Sequence, residues 1–467
     1  MILNPEFKLQ ITKLLPCEES RCMLQSIEND EPAVSVRFNS RRGTVPTTPL
    51  ERVPWCDMGF YLDSRPQFTF DPHFHAGNYY VQDASSMFIY HVIKSLIKRP
   101  VKYLDLCAAP GGKTTAALQA LPHGSIVVAN EIVHQRAQIL RENVIKWGAD
   151  NCMVTCDSPR SLGGLANEFD VIAADVPCSG EGMFRKDDEA VKQWSPALVE
   201  QCATRQRLII NDVWAALKPG GLLIYSTCTY NSLENEEMVD FIVNHLGATV
   251  VNVPVASEWN IHPAIGRDYP CYRFLPHLLR GEGLFLCVMR KNQVSTSTPA
   301  NAKLKTKKTN HENGFEHLNN WIKGNYDIQV NNDEIIATPE HIKVLLHNRC
   351  DNLHVIKYFG IVLGTIKGRK IVPSHQLAMS QNIASGAFPE VEVDYSTAIA
   401  YLRGEAISIE APRGYVLIKY DNSILGLVNN LGNRANNLYP KHWRIMSTHI
   451  PITPITVFDK STKLQQS

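Results

Sequence analysis

The chain is poor in the features that mark a stapled or metal-built protein. Its twelve cysteines are scattered through 467 residues. No CxxC pair and no Cys/His cluster at zinc spacing occurs among them, which excludes a disulfide scaffold and a zinc module and fits free thiols in a reducing, cytoplasmic setting. The N-terminal stretch MILNPEFKLQITKLLPCEES lacks a basic start followed by an apolar core. No long uncharged apolar run occurs elsewhere, so neither secretion nor membrane spanning is expected. An excess of one charge is missing too, because 47 Lys and Arg face 46 Asp and Glu for a formal net charge of +1. That balance excludes a globally basic coat, so contact with nucleic acid has to come from local patches. Internal repeats and heptads are absent.

What is present is ordinary globular composition, 44% apolar and 20% charged, with material for roughly three domains. One segment breaks the pattern: KNQVSTSTPANAKLKTKKTNHENG, Lys291 to Gly314, is polar and nearly devoid of large apolar residues. It reads as an exposed linker whose Lys303, Lys305, Lys307 and Lys308 form a solvated tether or touch phosphate. Between Val101 and Arg290 the short apolar runs VKYLDLCAA, SIVVANE, NCMVTCD, FDVIAADVP and LLIYSTCTY alternate with helix-like stretches. That rhythm predicts βαβ units and a parallel sheet covered on both faces. ATVVNV and LFLCVMR then suit two closing strands at one edge. The region before Pro100 mixes a helical start with the aromatic, turn-rich WCDMGFYLDSRPQFTFDPHFHAGNYYVQDASSM, whose fold does not follow from pattern. Beyond the linker, GYVLIKYDNSILGLVNN predicts strand, turn, strand with Asp421 and Asn422 at the turn, within a small β-rich module.

In an open parallel sheet, ligands collect at the carboxyl ends of the strands. The loop after the first run is Cys107-Ala108-Ala109-Pro110-Gly111-Gly112-Lys113. Its small residues allow close backbone approach, and the following helix offers unpaired N–H groups. PGGKTT superficially resembles the end of a phosphate-binding P-loop, but the upper glycine of that motif, five residues before its second glycine, is replaced by Cys107. An NTPase reading fails there. Glu131 ends the second run, about twenty residues after the glycines, where a carboxylate accepts both hydroxyls of a ribose. Asp157 ends the third run and Asp175 the fourth. Each acid alone reads equally well as an exposed cap. Repeated at one edge, such acids repel polyphosphate and suit the uncharged adenosine and cationic sulfonium of S-adenosylmethionine. Leu217-Lys218-Pro219-Gly220-Gly221 adds a helix stop and a turn into the fifth run.

Asp175-Val176-Pro177-Cys178-Ser179-Gly180 follows the fourth run and Ser226-Thr227-Cys228-Thr229-Tyr230 ends the fifth, so adjacent strands present two thiols to one cleft. A lone cysteine near a strand is ordinarily a small core residue; two beside an Asp at a cofactor edge point to chemistry. Carbon 5 of cytosine is too weak a nucleophile to take a methyl group unaided. Thiolate addition at carbon 6 loads electron density onto carbon 5 and divides one hard reaction into easier ones. An acid near ring nitrogen 3, for which Asp175 is the candidate, and a base for the carbon 5 proton complete the set. Strand position does not rank the two thiols.

With these residues in place, the sequence resembles the NOP/SUN (Fmu) family of RNA cytosine-5 methyltransferases, its bacterial RsmF-type 16S ribosomal RNA members in particular. DLCAAPGGKTT, DVPCSGEGMFRKD and YSTCTY carry the likeness in order, joined upstream by WCDMGFYL and YYVQDASSM, so it spans nearly the whole chain. Val176 departs slightly, where the family usually has Ala. The resemblance implies a Rossmann-like class I methyltransferase core, a mostly parallel seven-stranded sheet, at 101–290. It implies an N-terminal α+β RNA-binding region at 1–100, the linker at 291–314, an α/β extension at 315–390 and a PUA-like β module at 391–467. YLRGEAISIEAPRGYVLIKYDNSILG and NNLYPKHWR resemble that module. There Arg434, Lys441 and Arg444 near Tyr439 and Trp443 either pair phosphates and stack bases or form a surface helix around a buried Trp.

The resemblance further implies that Cys107 through Lys113, Glu131, Asp157 and Asp175 bind S-adenosylmethionine. Cys228 is then the nucleophile, Cys178 serves product release, and Lys113 and Asp175 touch the target base. Its partner is 16S rRNA or the small ribosomal subunit, approached by a monomer without metal. A base in paired RNA would be extruded into the space between the thiols. The same core also serves transfer RNA. A non-catalytic RNA-binding assembly factor is the rival from another class, and intact Cys178, Cys228, Lys113 and Asp175 argue against it.

Overall fold

The computed structural model describes residues 2–42, 50–293, 316–340, 342 and 353–458. Most of the expected linker, including its lysine run, lies outside the described residues. The chain opens with helices Pro5–Leu14, capped by the Asn4 side chain, and Cys17–Asn29. The stretch that pattern left undetermined forms an antiparallel sheet of β1 (Val34–Phe38), β2 (Arg52–Val53), β3 (Cys56–Leu62) and β4 (Tyr79–Val81), in the order β2-β3-β1-β4.

The five apolar runs become β5 (Lys102–Asp105), β6 (Ile126–Asn130), β7 (Cys152–Thr155), β8 (Phe169–Asp175) and β9 (Leu217–Thr227), all mutually parallel. They are followed by β10 (Ala248–Val251), β11 (Cys271–Phe274) and β12 (Leu284–Lys291). Beyond residue 316 lie β13 (Tyr326–Asn331), β14 (Glu334–Pro339), β15 (Val355–Lys357), β16 (Ile361–Lys367) and β17 (Lys370–Pro373). Four of these make their own sheet, in the order β13-β14-β16-β17.

The central sheet runs β10-β12-β9-β8-β5-β6-β7-β15, with β11 paired to β12, so it has nine strands where seven were expected. The seven are present, and only β12 among them runs against its neighbours. The two additions are short edge pieces. β11 makes an antiparallel pair with β12, and β15 covers the outer edge of β7, whose backbone groups an open edge would leave unpaired. Side chains alternate between the faces. Tyr103, Val127, Val171 and Ile224 enter one buried cluster, whereas Leu104, Val128, Ile172 and Leu223 enter another. Each such Val, Leu or Ile contributes about 1.5–3 kcal/mol by burial. Between β8 and β9 runs the helix Pro196–Val213, started by Pro196 and by Ser195, whose hydroxyl accepts the Leu198 N–H.

The last sheet joins β18 (Glu390–Glu392), β19 (Gly414–Tyr420), β20 (Ser423–Asn430) and β21 (Ala435–Asn437). Tyr420 pairs with Ser423 across Asp421 (φ 46°) and Asn422 (φ 61°), the two-residue left-handed turn expected there. The base-stacking reading of the residues after it fails. Tyr439 and Trp443 are 2% and 8% exposed and belong to the core, so no base can stack on them.

Candidate active site

The sheet turns the carboxyl ends of β5 to β9 toward one edge. After β5 the chain passes through Leu106–Gly111, and Gly111 takes φ 115°, a left-handed backbone that favours glycine. A Cβ there would also lie 3.2 Å from the Leu140 side chain. The loop is held from outside: Asn143 Nδ2 donates to the Pro110 carbonyl (2.8 Å) and Arg136 to that of Ala109 (3.0 Å). Cys107 is half-buried, Ala108 and Ala109 are buried, and Pro110 is exposed.

Asn130, absent from the sequence reading, ties three strand ends together. Its Nδ2 donates to the carbonyls of Leu106 (3.1 Å) and Asp157 (3.0 Å), while its Oδ1 accepts from the Thr155 hydroxyl (2.8 Å) and the Asp157 N–H (2.9 Å). Glu131 is buried, one oxygen accepting the Val133 N–H at 3.0 Å and the other lying 3.4 Å from Arg136. Asp105 is buried as well and accepts the Thr114 hydroxyl at 2.6 Å; burial pushes its carboxyl up to about 7. Burial, and then the carboxylates of Asp175, Asp105 and Glu131, push the Cys107 thiol up. Three acids therefore converge on one loop. This donor set repels phosphate and fits a ligand with ribose hydroxyls and a positive centre, which is the chemistry of S-adenosylmethionine.

The thiols meet at the ends of β8 and β9, as adjacent strands require. Cys178 Sγ and Cys228 Sγ are 3.2 Å apart, and the Cys228 N–H points at the Cys178 sulfur (3.3 Å). With the sulfurs in contact, the structure holds no open slot between them. Lys113 Nζ donates to Asp175 Oδ2 (2.7 Å), whose other oxygen accepts the Ser226 hydroxyl (2.7 Å). Burial lowers the affinity of Lys113 for its proton, but Asp175, with Cys228 and Asp105, outweighs this and leaves the ammonium above its ordinary value. The hydrogen bond to Cys228, burial, and the charges of Cys228 and Glu234 hold the Cys178 thiol well above its usual range.

Two buried glutamates, also missed from sequence, brace the thiol loops reciprocally. Glu181, from the Cys178 loop, accepts the N–H groups of Tyr230 (2.7 Å) and Asn231 (3.0 Å), just past Cys228. Its other oxygen takes the Trp194 indole N–H (3.0 Å) and Gln10 from the first helix (2.8 Å). Glu234, from the Cys228 loop, accepts the Ser179 N–H (3.1 Å), Gln206 (2.7 Å) and Asn231 (2.8 Å). Their shared signal, an acid three to six residues past each cysteine, has no meaning until the loops meet. Among the described residues no three His, Cys, Asp or Glu groups converge as metal ligands, and no helix is long and apolar enough to cross a membrane.

Residues 98–290 match the family described as 16S rRNA methyltransferase RsmB/F. Residues 3–84 match the N-terminal domain of 16S rRNA methyltransferase RsmF, and residues 388–445 match the methyltransferase RsmF PUA domain. Ribosomal RNA small subunit methyltransferase F of Shewanella loihica is 31% identical over 417 residues, covering 84% of this chain and 83% of the relative. Its namesake in Aliivibrio fischeri is 29% identical over 476 residues, covering 94% and 97%. Among solved structures, NSun6 from Pyrococcus horikoshii with SFG superposes with a TM-score of 0.53 at 20% identity, covering 62% of this chain and 99% of that one. A methyltransferase homolog protein from the same organism gives 0.51 at 25% identity, covering 62% and 100%.

Proposed function

Because the chain belongs to the RsmB/F family of 16S rRNA methyltransferases, and is therefore an RNA methyltransferase with a PUA domain, we propose that it methylates carbon 5 of a cytidine in 16S rRNA through a covalent bond from Cys228. The observation that carries this reading is the thiol pair in contact at 3.2 Å beside the Lys113–Asp175 ion pair. A methyltransferase acting on an oxygen or an exocyclic nitrogen has no need of two thiols.

S-adenosylmethionine, when bound, supplies the methyl group on a cationic sulfonium. The loop Cys107–Lys113 with Glu131, Asp157 and Asp175 would hold it. The side chains divide the remaining work by their surroundings. Cys228 lies in the same polar cluster as the Lys113 ammonium. Its sulfur bonds to carbon 6, and the displaced electron pair moves toward carbon 5 and nitrogen 3, where Asp175 and Lys113 stabilise the charge. After carbon 5 is methylated, its proton leaves to a base, that C–H pair rebuilds the ring double bond, and the carbon 6–sulfur bond breaks with its electrons on Cys228. Cys178, in contact with Cys228 at 3.2 Å, would return a proton to the departing sulfur. The ranking of the two thiols is the one the resemblance implied.

A cleft of about 820 Å³ lies beside the Cys178 loop, its walls carrying both acids (Asp30, Glu31, Asp63) and bases (Arg65, Arg185, Lys186, Arg280). Bisulfite sequencing of total RNA with and without the protein tests the assignment. One protected cytidine in small-subunit rRNA should become convertible in its absence. Loss of protection in transfer RNA alone, or nowhere, would overturn it. Titration with labelled S-adenosylmethionine and ATP checks the cofactor, and binding of ATP alone would remove it.

A further inference from the structure

The C-terminal part of the chain reaches into the cofactor edge of the sheet. β15 docks antiparallel on β7, the strand that carries Asp157 at its end, with Val355 opposite Thr155 and Lys357 opposite Val154. Just before β15, the His354 carbonyl accepts the Cys156 N–H (2.9 Å), and the His354 N–H donates to Asp157 Oδ2 (2.9 Å). The strand is anchored firmly. The buried Lys357 ammonium donates to the carbonyls of Cys152 (2.9 Å), Tyr358 (3.0 Å) and Gly360 (3.2 Å), and Leu353, Val355 and Phe359 pack in the same apolar cluster as Leu104 and Val128. Asp157 is therefore held from two sides. Asn130 fixes its backbone, and residue 354, 197 positions later, fixes one carboxylate oxygen. Its other oxygen has only a long contact from the Ser161 hydroxyl (3.4 Å) and stays available to a ligand donor.

We propose that His354, through its backbone N–H, is a positioning residue for the adenosine end of the cofactor, so that docking of the Leu353–Lys357 segment sets part of the affinity for S-adenosylmethionine. The inference rests on the reading that Asp157 binds that cofactor. A carboxylate already oriented by a charge-assisted hydrogen bond loses less freedom when a ligand arrives. The segment therefore makes the site sensitive to the C-terminal extension, although every cofactor motif lies before residue 291. Linkage makes the effect reciprocal: whatever factor docking adds to cofactor affinity, the cofactor adds to the stability of docking.

Two measurements on the full chain test this. Calorimetric titration of His354→Pro, which removes the N–H, should show S-adenosylmethionine bound roughly tenfold more weakly than by wild type, equivalent to about 1.4 kcal/mol. His354→Ala keeps the N–H and should bind within twofold of wild type. In wild type, S-adenosylmethionine should slow amide hydrogen exchange across residues 353–357 by a similar factor, a result that does not depend on how well the proline variant folds. Unchanged exchange with the cofactor bound, or wild-type affinity in His354→Pro, would overturn the proposal. No heat from the wild-type protein would instead remove the cofactor reading beneath it.

Discussion

The thiol cleft and the seam between the N-terminal sheet and the C-terminal module use much the same residue types toward opposite ends. In the cleft, Lys113, Asp175, Cys178 and Cys228 are only half-buried, and an ion pair and a thiol pair face a ligand edge. In the seam, Asp71, His73, His75, Tyr439 and Trp443 come from distant parts of the chain and are buried, with the His375 ring packed against Tyr439 and Trp443. His75 contacts the Tyr439 hydroxyl (3.1 Å) and the Thr69 carbonyl (2.8 Å), Asp71 accepts the Tyr79 hydroxyl (2.8 Å), and Lys146 lies 4.8 Å from the Trp443 ring. Burial, with the nearby Lys146 charge, drives His75 down to about 4 and His375 to about 3, so both imidazoles stay neutral glue. Reactive groups need an open side; structural ones need burial. Residue type alone separates neither.

The comparison breaks if the seam proves reactive or the cleft proves structural. The largest expected effect is in the cleft: Cys228→Ala should lower single-turnover methyl transfer by on the order of 10⁴-fold, with little change in urea midpoint. Next, Trp443→Ala should cost about 3–5 kcal/mol of stability by leaving a cavity, while transfer per folded molecule stays within about twofold. Lost RNA affinity at unchanged stability would return Trp443 to the role of a base platform. Glu181→Gln turns an amide N–H toward donors and should cost about 2 kcal/mol together with a fall in transfer, because the brace serves both; urea melts beside turnover would show it.

The last prediction concerns pH. Burial holds the Asp71 carboxyl up to about 7. The folded state thus binds a proton that the unfolded chain has already lost, so this contribution is full below the ordinary carboxyl value and disappears as pH rises through about 7. Urea midpoints of Asp71→Asn at pH 4.5 and 7.5 should accordingly differ in the alkaline-favouring direction relative to wild type. An identical slope in both proteins would refute that assignment.

Legibility followed the range of the interactions. The runs that became β5 to β9 could be read because each is a local apolar stretch, and the turn at Asp421-Asn422 because two left-handed residues suffice to make it. The convergence of Cys178 and Cys228 was legible once both were placed at ends of adjacent parallel strands. β11 and β15 were not, since four and three residues carry no period and their place depends on an edge made by other strands. Asn130, Glu181 and Glu234 look like ordinary polar residues until distant loops supply donors to them. Tyr439 and Trp443 left two readings open, and burial alone decided between them.

The central claim is the division of labour between the two sulfurs, and trapping of the covalent adduct tests it most directly. Purified wild type, Cys178→Ala and Cys228→Ala are incubated with S-adenosylmethionine and substrate RNA and run on a denaturing gel. Cys178→Ala should accumulate a retarded protein–RNA band, and Cys228→Ala should give none. A band from Cys228→Ala with none from Cys178→Ala would reverse the roles and contradict the account.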